Sequence, residues 1–228
     1  MLILCEKPSV AKDFAAALGA SGKNGYYQVD RITITFCVGH LFELLPPEGY
    51  DPKFKKWSLE DLPVIPQTFR YQMSASTAGQ AKLVMELLRR HAGGDVLIAT
   101  DAGREGELIA RIALKEAGVA DISRFKRFWV SEALTPEVIR QGIKNARPLS
   151  DYDAICAQGF ARQRADWLVG MNLSRFMSIG NPRRLFPWEG CRQPSFPASL
   201  AGMRKLKTLP LCRIKSWRLL FPQISALP

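Results

Sequence analysis

Two runs of four apolar residues, Leu2–Cys5 and Val96–Ala99, constrain the fold of this chain more than any other feature. Each run is long enough for a buried strand, and each leads into a carboxylate, Glu6 or Asp101. A segment with helical periodicity follows each carboxylate. Strands that alternate with helices in this way predict an α/β fold, in which a mostly parallel sheet is covered by helices on both faces.

Turn and capping residues place the remaining elements. The patterns predict helices over Val10–Leu18, from Thr77 to His91, around Leu108–Ala113 and from Pro136 onward, a hairpin of Tyr26–Val29 with Ile32–Val38, and a third strand within Phe125–Val130. Ser9 is expected to cap the first helix and Thr135 the last. The proline-rich stretch from Pro46 to Pro66 lacks periodicity and is predicted to be a loop.

Composition excludes several classes of protein. No apolar run approaches the roughly 18 residues that span a bilayer, and the first residues lack the basic region and long apolar core of a signal peptide. The five cysteines show neither a CxxC pair nor metal-ligand spacing, which predicts reduced thiols. We therefore expect a cytoplasmic protein without a membrane partner.

The net charge of +11 suggests nucleic-acid binding, but the charge is unevenly distributed. Residues 179–228 contain nine Lys and Arg residues, one acid and seven of the fifteen prolines, whereas residues 1–178 contain 23 basic and 20 acidic residues. This break predicts a separate basic, proline-rich tail over residues 179–228. The charge of the whole chain therefore says little about its folded part.

Three carboxylates are expected at one edge of the predicted sheet. Ligands of an open parallel sheet bind beyond the carboxyl ends of its strands, where Glu6 and Asp101 lie. Glu105 shares a helix side with Leu108 and Ile109, so we expect it to point back over the sheet edge. Three hard oxygen ligands suit Mg²⁺. Acids at strand ends and in first helical turns also occur as turn formers and helix stabilisers, so spacing alone leaves a structural role open.

Four motifs in order resemble a known family: Cys5–Lys12 (CEKPSVAK), Val38–Leu41 (VGHL), Asp101–Ala110 (DAGREGELIA) and Ala161–Arg175 (ARQRADWLVGMNLSR). The first three are similar to the Toprim domain of topoisomerase III-type enzymes, which are bacterial type IA DNA topoisomerases. The fourth resembles the helix that begins their next DNA-binding domain.

This resemblance implies a Toprim domain over residues 1–134, Rossmann-like in architecture, and the helical start of the DNA-binding and catalytic region over residues 135–178. It also implies Mg²⁺ as cofactor and single-stranded DNA as partner, with no small-molecule substrate. In this family a tyrosine attacks a phosphodiester of single-stranded DNA, and the break is later rejoined.

The family's site residues map onto named positions of this chain. By resemblance, Glu6 is the acid near the scissile phosphate, which helps the 3′ oxygen leave and rejoin, and also a metal ligand. Lys7 holds the phosphate, while Asp101 and Glu105 hold Mg²⁺. Arg104 is expected to serve the phosphate as a further catalytic residue.

Gly103 departs from the family pattern. This glycine stands where the usual Asp-x-Asp-x-Glu signature has its middle acid, which predicts weaker metal binding with more water around the ion.

His40 is assigned to DNA. It is expected to contact the DNA phosphate, although a purely structural role for this histidine is an equally open interpretation.

The fourth motif predicts a groove for the single strand. Arg162 and Asp166 are spaced i, i+4 and can pair on one helix face, with Arg164 and Arg175 adding phosphate contacts. An exposed helical ion pair is the alternative interpretation. Trp167 could stack on a base, but its apolar neighbours favour a place in the core.

No tyrosine of this chain matches the family's nucleophile. The five tyrosines are Tyr26, Tyr27, Tyr50, Tyr71 and Tyr152. The sequence therefore predicts a topoisomerase fragment that cannot cleave DNA alone. Two alternatives are a stand-alone Toprim nuclease or primase-like enzyme, and a non-catalytic module that binds single-stranded DNA.

The tail over residues 179–228 does not resemble the family's continuation, and we interpret it as the product of a frameshift near residues 178–186. When a message for Phe186–Cys191 is read from the third base of its first codon, it can encode SVGRV. That string resembles the family's own sequence at this point. A tail of this origin was never selected to fold, so its prolines and positive charge predict disorder.

The nucleotide sequence of the gene tests the frameshift. We expect the codons of Pro187 and Gly190 to end in guanine, because only this base supplies the two valines in the shifted frame. The shifted frame should then continue downstream to a tyrosine-bearing segment. A different third base at either codon contradicts the hypothesis.

Overall fold

The computed structural model describes residues 1–180. Predictions for the tail lie outside this part, apart from two residues that close the last helix. Strands are β1 (Leu2–Cys5), β2 (Ser21–Gly22), β3 (Tyr26–Val29), β4 (Ile32–Phe36), β5 (Phe42–Leu44), β6 (Tyr71–Met73), β7 (Val96–Ala99), β8 (Phe125–Arg127) and β9 (Arg147–Pro148). Helices are α1 (Pro8–Leu18), α2 (Pro47–Tyr50), α3 (Ala78–Arg90), α4 (Arg104–Glu116), α5 (Pro136–Lys144) and α6 (Asp153–Gly180).

Seven strands of the described residues form one sheet in the order β2-β3-β4-β1-β7-β8-β9. The central strand β1 pairs in parallel with β4 and β7, and β8 is parallel to β7. Antiparallel strands extend both sides of this centre, including the predicted hairpin of β3 with β4. A second, two-stranded sheet contains β5 and β6. The prediction of a mostly parallel central sheet is confirmed.

Both faces of the sheet are covered, because successive side chains of each central strand point to opposite sides. Leu2 and Leu4 of β1 pack in one buried cluster with residues of α3 and α4. Ile3 and Cys5 pack in a second cluster with residues of α1 and α5. The near-continuous apolar runs of β1 and β7 follow from this two-sided burial.

Several local predictions need correction. Helix α1 starts at Pro8, and its N-cap is Lys7 without a side-chain hydrogen bond, so Ser9 does not cap it. Proline fits the first helical position, so the helix starts two residues earlier in the chain than predicted. The predicted loop from Pro46 contains α2 and a 3₁₀ turn at Pro52–Lys55, and each of these also starts with proline.

Helix α6 holds the proline-rich segment in place. The Asn172 side chain is buried and forms hydrogen bonds with both backbone groups of Val64, at 2.6 Å to the nitrogen and 3.0 Å to the oxygen. Arg175 reaches Glu48 at 3.1 Å. Within residues 1–180, no helix has the length and apolar character needed to cross a membrane.

Candidate functional site

Two carboxylates meet at the carboxyl edge of the sheet. Cys5 lies opposite Ala99 in the β1–β7 register, so the chain leaves both strands at the same level. The Asp101 backbone N–H donates a hydrogen bond of 3.0 Å to Oε2 of Glu6. Lys7 Nζ lies 3.3 Å from Oδ2 of Asp101, and both side chains are about half exposed. The edge therefore offers two carboxylates and an ammonium group to a ligand.

The pKa of Glu6 is raised above its ordinary value, and partial burial of the carboxyl group is the main cause. The hydrogen bond from the Asp101 N–H lowers the pKa, while the Asp101 carboxylate raises it and the Lys7 ammonium lowers it. Glu6 therefore holds a proton at higher pH than an exposed glutamate does. A group that gives and takes a proton near neutral pH needs this property.

Helix α4 begins in close contact with Asp101. A Cβ atom at Gly106 would overlap the carbonyl oxygen of Asp101 and lie 2.9 Å from its nitrogen, so this approach requires glycine. Gly103, the N-cap, has an extended backbone, and a Cβ atom there would meet no heavy atom within 4 Å. The position of the family's middle acid thus has room for a side chain.

Glu105 does not lie on the buried side of α4 that its spacing to Leu108 and Ile109 predicted. Its side chain is 60% exposed, and its Oε2 lies 3.6 Å from Nε2 of His40. Gly106 and Glu107 of the same turn are buried, so the first turn of α4 has one exposed side, which carries Glu105, and one buried side. Among the described residues, no group of three or more His, Cys, Asp and Glu side chains is arranged to hold a metal ion. The structure brings Glu6 and Asp101 together and leaves Glu105 beside His40.

The sequence patterns did not predict the two buried charged side chains near this edge of the sheet. Glu107 and Arg127 have side chains that are 0% exposed, and they pair at 2.8 Å. The second oxygen of Glu107 accepts a hydrogen bond of 2.8 Å from Arg111. Burial lowers the pKa of Arg127, and the charge of Glu107 counteracts this effect. Arg127 follows the buried Phe125 at the strand period of two, so both side chains lie on the same face of the strand. This pattern was the available signal that Arg127 is buried.

A cleft of about 520 Å³ begins beside the first turn of α4 and reaches α6. His40 and Glu105 line it at one side, and Arg162, Asp166 and Trp167 line it at the other. Arg162 Nε lies 3.6 Å from Oδ2 of Asp166, as the i, i+4 spacing predicted. The cleft joins residues of the Toprim-like motifs to residues of the fourth motif.

The other two predicted arginines lie elsewhere. The Arg164 guanidinium is exposed and stacks on the rings of Phe69 and Phe160, at 5.5 and 5.3 Å from their centroids. Arg175 is only 5% exposed, and it donates a hydrogen bond of 2.7 Å to the Phe54 carbonyl. The structure therefore places Arg175 in the packing between α6 and the proline-rich segment, not along the cleft.

Trp167 belongs to the core, as its apolar neighbours in the sequence predicted. It is 7% exposed, and the rings of Tyr50 and Phe69 contact it edge-on at centroid distances of 5.9 and 5.7 Å. A base could not stack on a ring that is enclosed in this way.

The tyrosines all lie within the described residues, and none of them lines the cleft. The Tyr71 hydroxyl donates a hydrogen bond of 2.7 Å to Gln163, and burial raises its pKa to about 12. This phenol is harder to ionise than an exposed tyrosine, which makes it a poorer nucleophile.

Comparison with known proteins identifies the class. The Toprim domain family matches residues 1–133, which is more than half of the chain. The chain therefore belongs to the Toprim family.

Its relatives are DNA topoisomerases. The chain is 42% identical to DNA topoisomerase 3 of Staphylococcus aureus over 78% of its own length and 25% of the relative. It is 39% identical to DNA topoisomerase 3 of Bacillus thuringiensis, with 78% of this chain and 24% of the relative covered. Full-length topoisomerase I from Thermotoga maritima superimposes with a TM-score of 0.53 at 25% identity, over 78% of this chain and 26% of that one. The resemblance to type IA topoisomerases is confirmed, and the chain spans about a quarter of the length of these relatives.

We predict that Gly106→Ala destabilises the protein by about 1–3 kcal/mol, because the added methyl group displaces the Asp101 backbone. Urea unfolding followed by circular dichroism measures this change. Gly79→Ala is the matched control, since Gly79 also lies in a first helical turn but has open space around it. There the substitution should stabilise by about 0.5–1 kcal/mol. Equal effects at both positions would show that the contact with Asp101 is not tight.

Proposed function

We propose that this chain provides the Mg²⁺ site and part of the single-strand cleft of a type IA DNA topoisomerase. The observation that carries this proposal is the adjacent pair of carboxylates, Glu6 and Asp101, with Lys7 beside them at the edge of a Toprim sheet. Breakage, strand passage and rejoining of single-stranded DNA would be the activity of the whole enzyme.

The residues of the sheet edge fit Mg²⁺. In proteins this ion is often held by one or two carboxylates together with water and substrate phosphate, and two hard carboxylates lie side by side here. Glu6 and Asp101 would hold the ion, and Glu105, which is exposed beside His40, would turn toward them as a further ligand. When bound, Mg²⁺ would neutralise charge on the phosphate of the DNA backbone.

The chain's own residues would bind the scissile phosphate and transfer a proton to and from the 3′ oxygen. Lys7 and Asp101 form an exposed pair that contributes little to stability, so Lys7 can exchange Asp101 for a phosphate oxygen. The raised pKa of Glu6 suits a group that protonates the departing 3′ oxygen and removes that proton on rejoining. Arg104 is exposed at the N-terminus of α4, where an anion is favoured.

The single strand would lie in the cleft between the first turn of α4 and α6. Arg162 and His40, on its two sides, would contact phosphates, and Asp166 would orient Arg162. Arg164, exposed on another face of α6, would add a contact outside the cleft. Arg175 is buried, so the proposal does not include it.

The chain would bind DNA without cleaving it when it acts alone. None of its tyrosines matches the family's nucleophile, and none lines the cleft among the described residues. If the purified chain instead hydrolyses DNA in a Mg²⁺-dependent and Glu6-dependent reaction, the stand-alone nuclease is the better interpretation.

Mg²⁺ binding tests the metal site. Isothermal titration of the full chain with MgCl₂ should show saturable binding, and Asp101→Asn should weaken it at least about 10-fold, since one of two adjacent carboxylates is neutralised. Gly103→Asp should strengthen binding, because an additional carboxylate fits the open space there. Asp95→Asn is the control, because Asp95 precedes the opposite end of the same strand and pairs with Arg124. An affinity that is unchanged in Asp101→Asn would rule out this metal site.

Strand binding tests the cleft. We expect Arg162→Ala to weaken binding of a fluorescent single-stranded oligonucleotide, and the slope of log affinity against log salt to fall by about 0.7 for the lost phosphate contact. Arg90→Ala is the matched control, since Arg90 forms an i, i+4 pair with Glu86 on the surface of α3. If Arg162→Ala has no effect but removal of residues 181–228 abolishes binding, the basic tail and not the cleft binds DNA.

A further inference from the structure

We propose that Arg127, held by Glu107, is a positioning residue that fixes Asp101 in the place where it binds the metal ion. The inference rests on the proposed Mg²⁺ site, and it assigns to that site two buried residues that would not touch the ion themselves.

All three nitrogens of the Arg127 guanidinium donate hydrogen bonds at the end of the sheet. Its nitrogens donate to the Glu107 carboxylate at 2.8 Å and to backbone carbonyls of Ile98 at 3.2 Å, Thr100 at 2.8 Å, Phe128 at 2.6 Å and Asp101 at 2.8 Å. A planar guanidinium presents its donors in a fixed fork, so several acceptors held at once define its position. The fork thereby fixes the path of the chain from β7 into Asp101.

Three contacts fix the backbone of Asp101. Arg127 donates to its carbonyl oxygen, Gly106 packs against the same peptide groups, and its N–H donates to Glu6 at 3.0 Å. Any shift of the Asp101 backbone must therefore move the hydrogen bond to Glu6 as well. Both carboxylates of the proposed metal site depend on the guanidinium beneath them.

Glu107 supplies the charge that lets an arginine remain in this position. Its other carboxylate oxygen accepts from Arg111, which also donates to the Leu149 carbonyl at 2.7 Å and to Asp153 at 2.8 Å. Asp153 is the first residue of α6. The Glu107 carboxylate thus links the metal-binding edge to the helix that carries the cleft residues.

A purely structural role does not account for the arrangement. Apolar residues of similar volume often stabilise a core as well as a buried ion pair does. What such residues lack is directional donors, and four of the five hydrogen bonds of Arg127 go to backbone carbonyls around the strand end that carries Asp101. Direction, and not charge alone, is therefore the property that an arginine adds here.

The test compares Mg²⁺ affinity and stability in the full chain. Arg127→Lys keeps the charge but not the fork, and we expect it to weaken Mg²⁺ binding about 10-fold, the lower end of the roughly 10–100-fold range for residues that orient metal ligands. Arg124→Lys is the control, because Arg124 lies on the same segment in an exposed pair with Asp95. Titration calorimetry gives the affinity of the folded protein, and urea unfolding gives its stability separately.

A role in folding alone would lower the stability of Arg127→Lys and leave the Mg²⁺ affinity of its folded fraction unchanged. That result would overturn the inference. If the substitution prevents folding, the inference can be tested on the wild-type chain by NMR. Mg²⁺ should shift the resonance of the Arg127 Nε–H group, because the same guanidinium holds Asp101. An Nε–H resonance that does not respond to saturating Mg²⁺ would also overturn it.

Failure of the inference can be distinguished from failure of the proposed function. If the wild-type chain does not bind Mg²⁺, or if Asp101→Asn binds it equally well, the metal site itself is wrong. If Asp101→Asn weakens binding and Arg127→Lys does not, only the positioning role is wrong.

Discussion

The Glu107 carboxylate lies in the interior of the protein and accepts hydrogen bonds from two arginines, Arg127 at the end of β8 and Arg111 on its own helix. Removing the Glu107 carboxylate would leave the buried charge of Arg127 uncompensated in a medium of low dielectric constant, which typically costs about 3–5 kcal/mol. The three side chains therefore have to be in place together. Because they join β7, β8, α4 and the start of α6, the edge of the sheet and the wall of the cleft form one structural unit.

The rim of the site contrasts with this rigid base. Lys7 with Asp101 and His40 with Glu105 are exposed pairs at 3.3 and 3.6 Å. Exposed pairs contribute roughly 0–1 kcal/mol, so they can be exchanged for contacts with a phosphate at little cost. The backbone that carries the proposed metal ligands is held by buried hydrogen bonds, while the side chains proposed to meet DNA are exposed. This division would suit the proposed role, in which the site binds and releases a phosphodiester.

Much of the site could be predicted because parallel strands end at a common edge, which placed Glu6 and Asp101 together. Glu105 was predicted to share the side of Leu108 and Ile109 and to point over the sheet edge, but its side chain is exposed beside His40. Arg175 was predicted to bind DNA because it is an arginine in the fourth motif. The helical period gives the face of such a residue, but not the segment that packs against that face, and here the proline-rich segment covers it.

The sequence by itself determined the fold class, the family and the residues at the two strand ends, because alternating apolar runs and ordered motifs are local properties of the chain. Only the tertiary structure decided which charged residues serve the interior and which face the cleft. Glu105 and Glu107 are both acids of one helical turn, yet one is exposed and the other is enclosed by two arginines. That difference depends on Arg127, 20 residues further along the chain, and its contact with Glu107 exists only after β8 has joined the sheet.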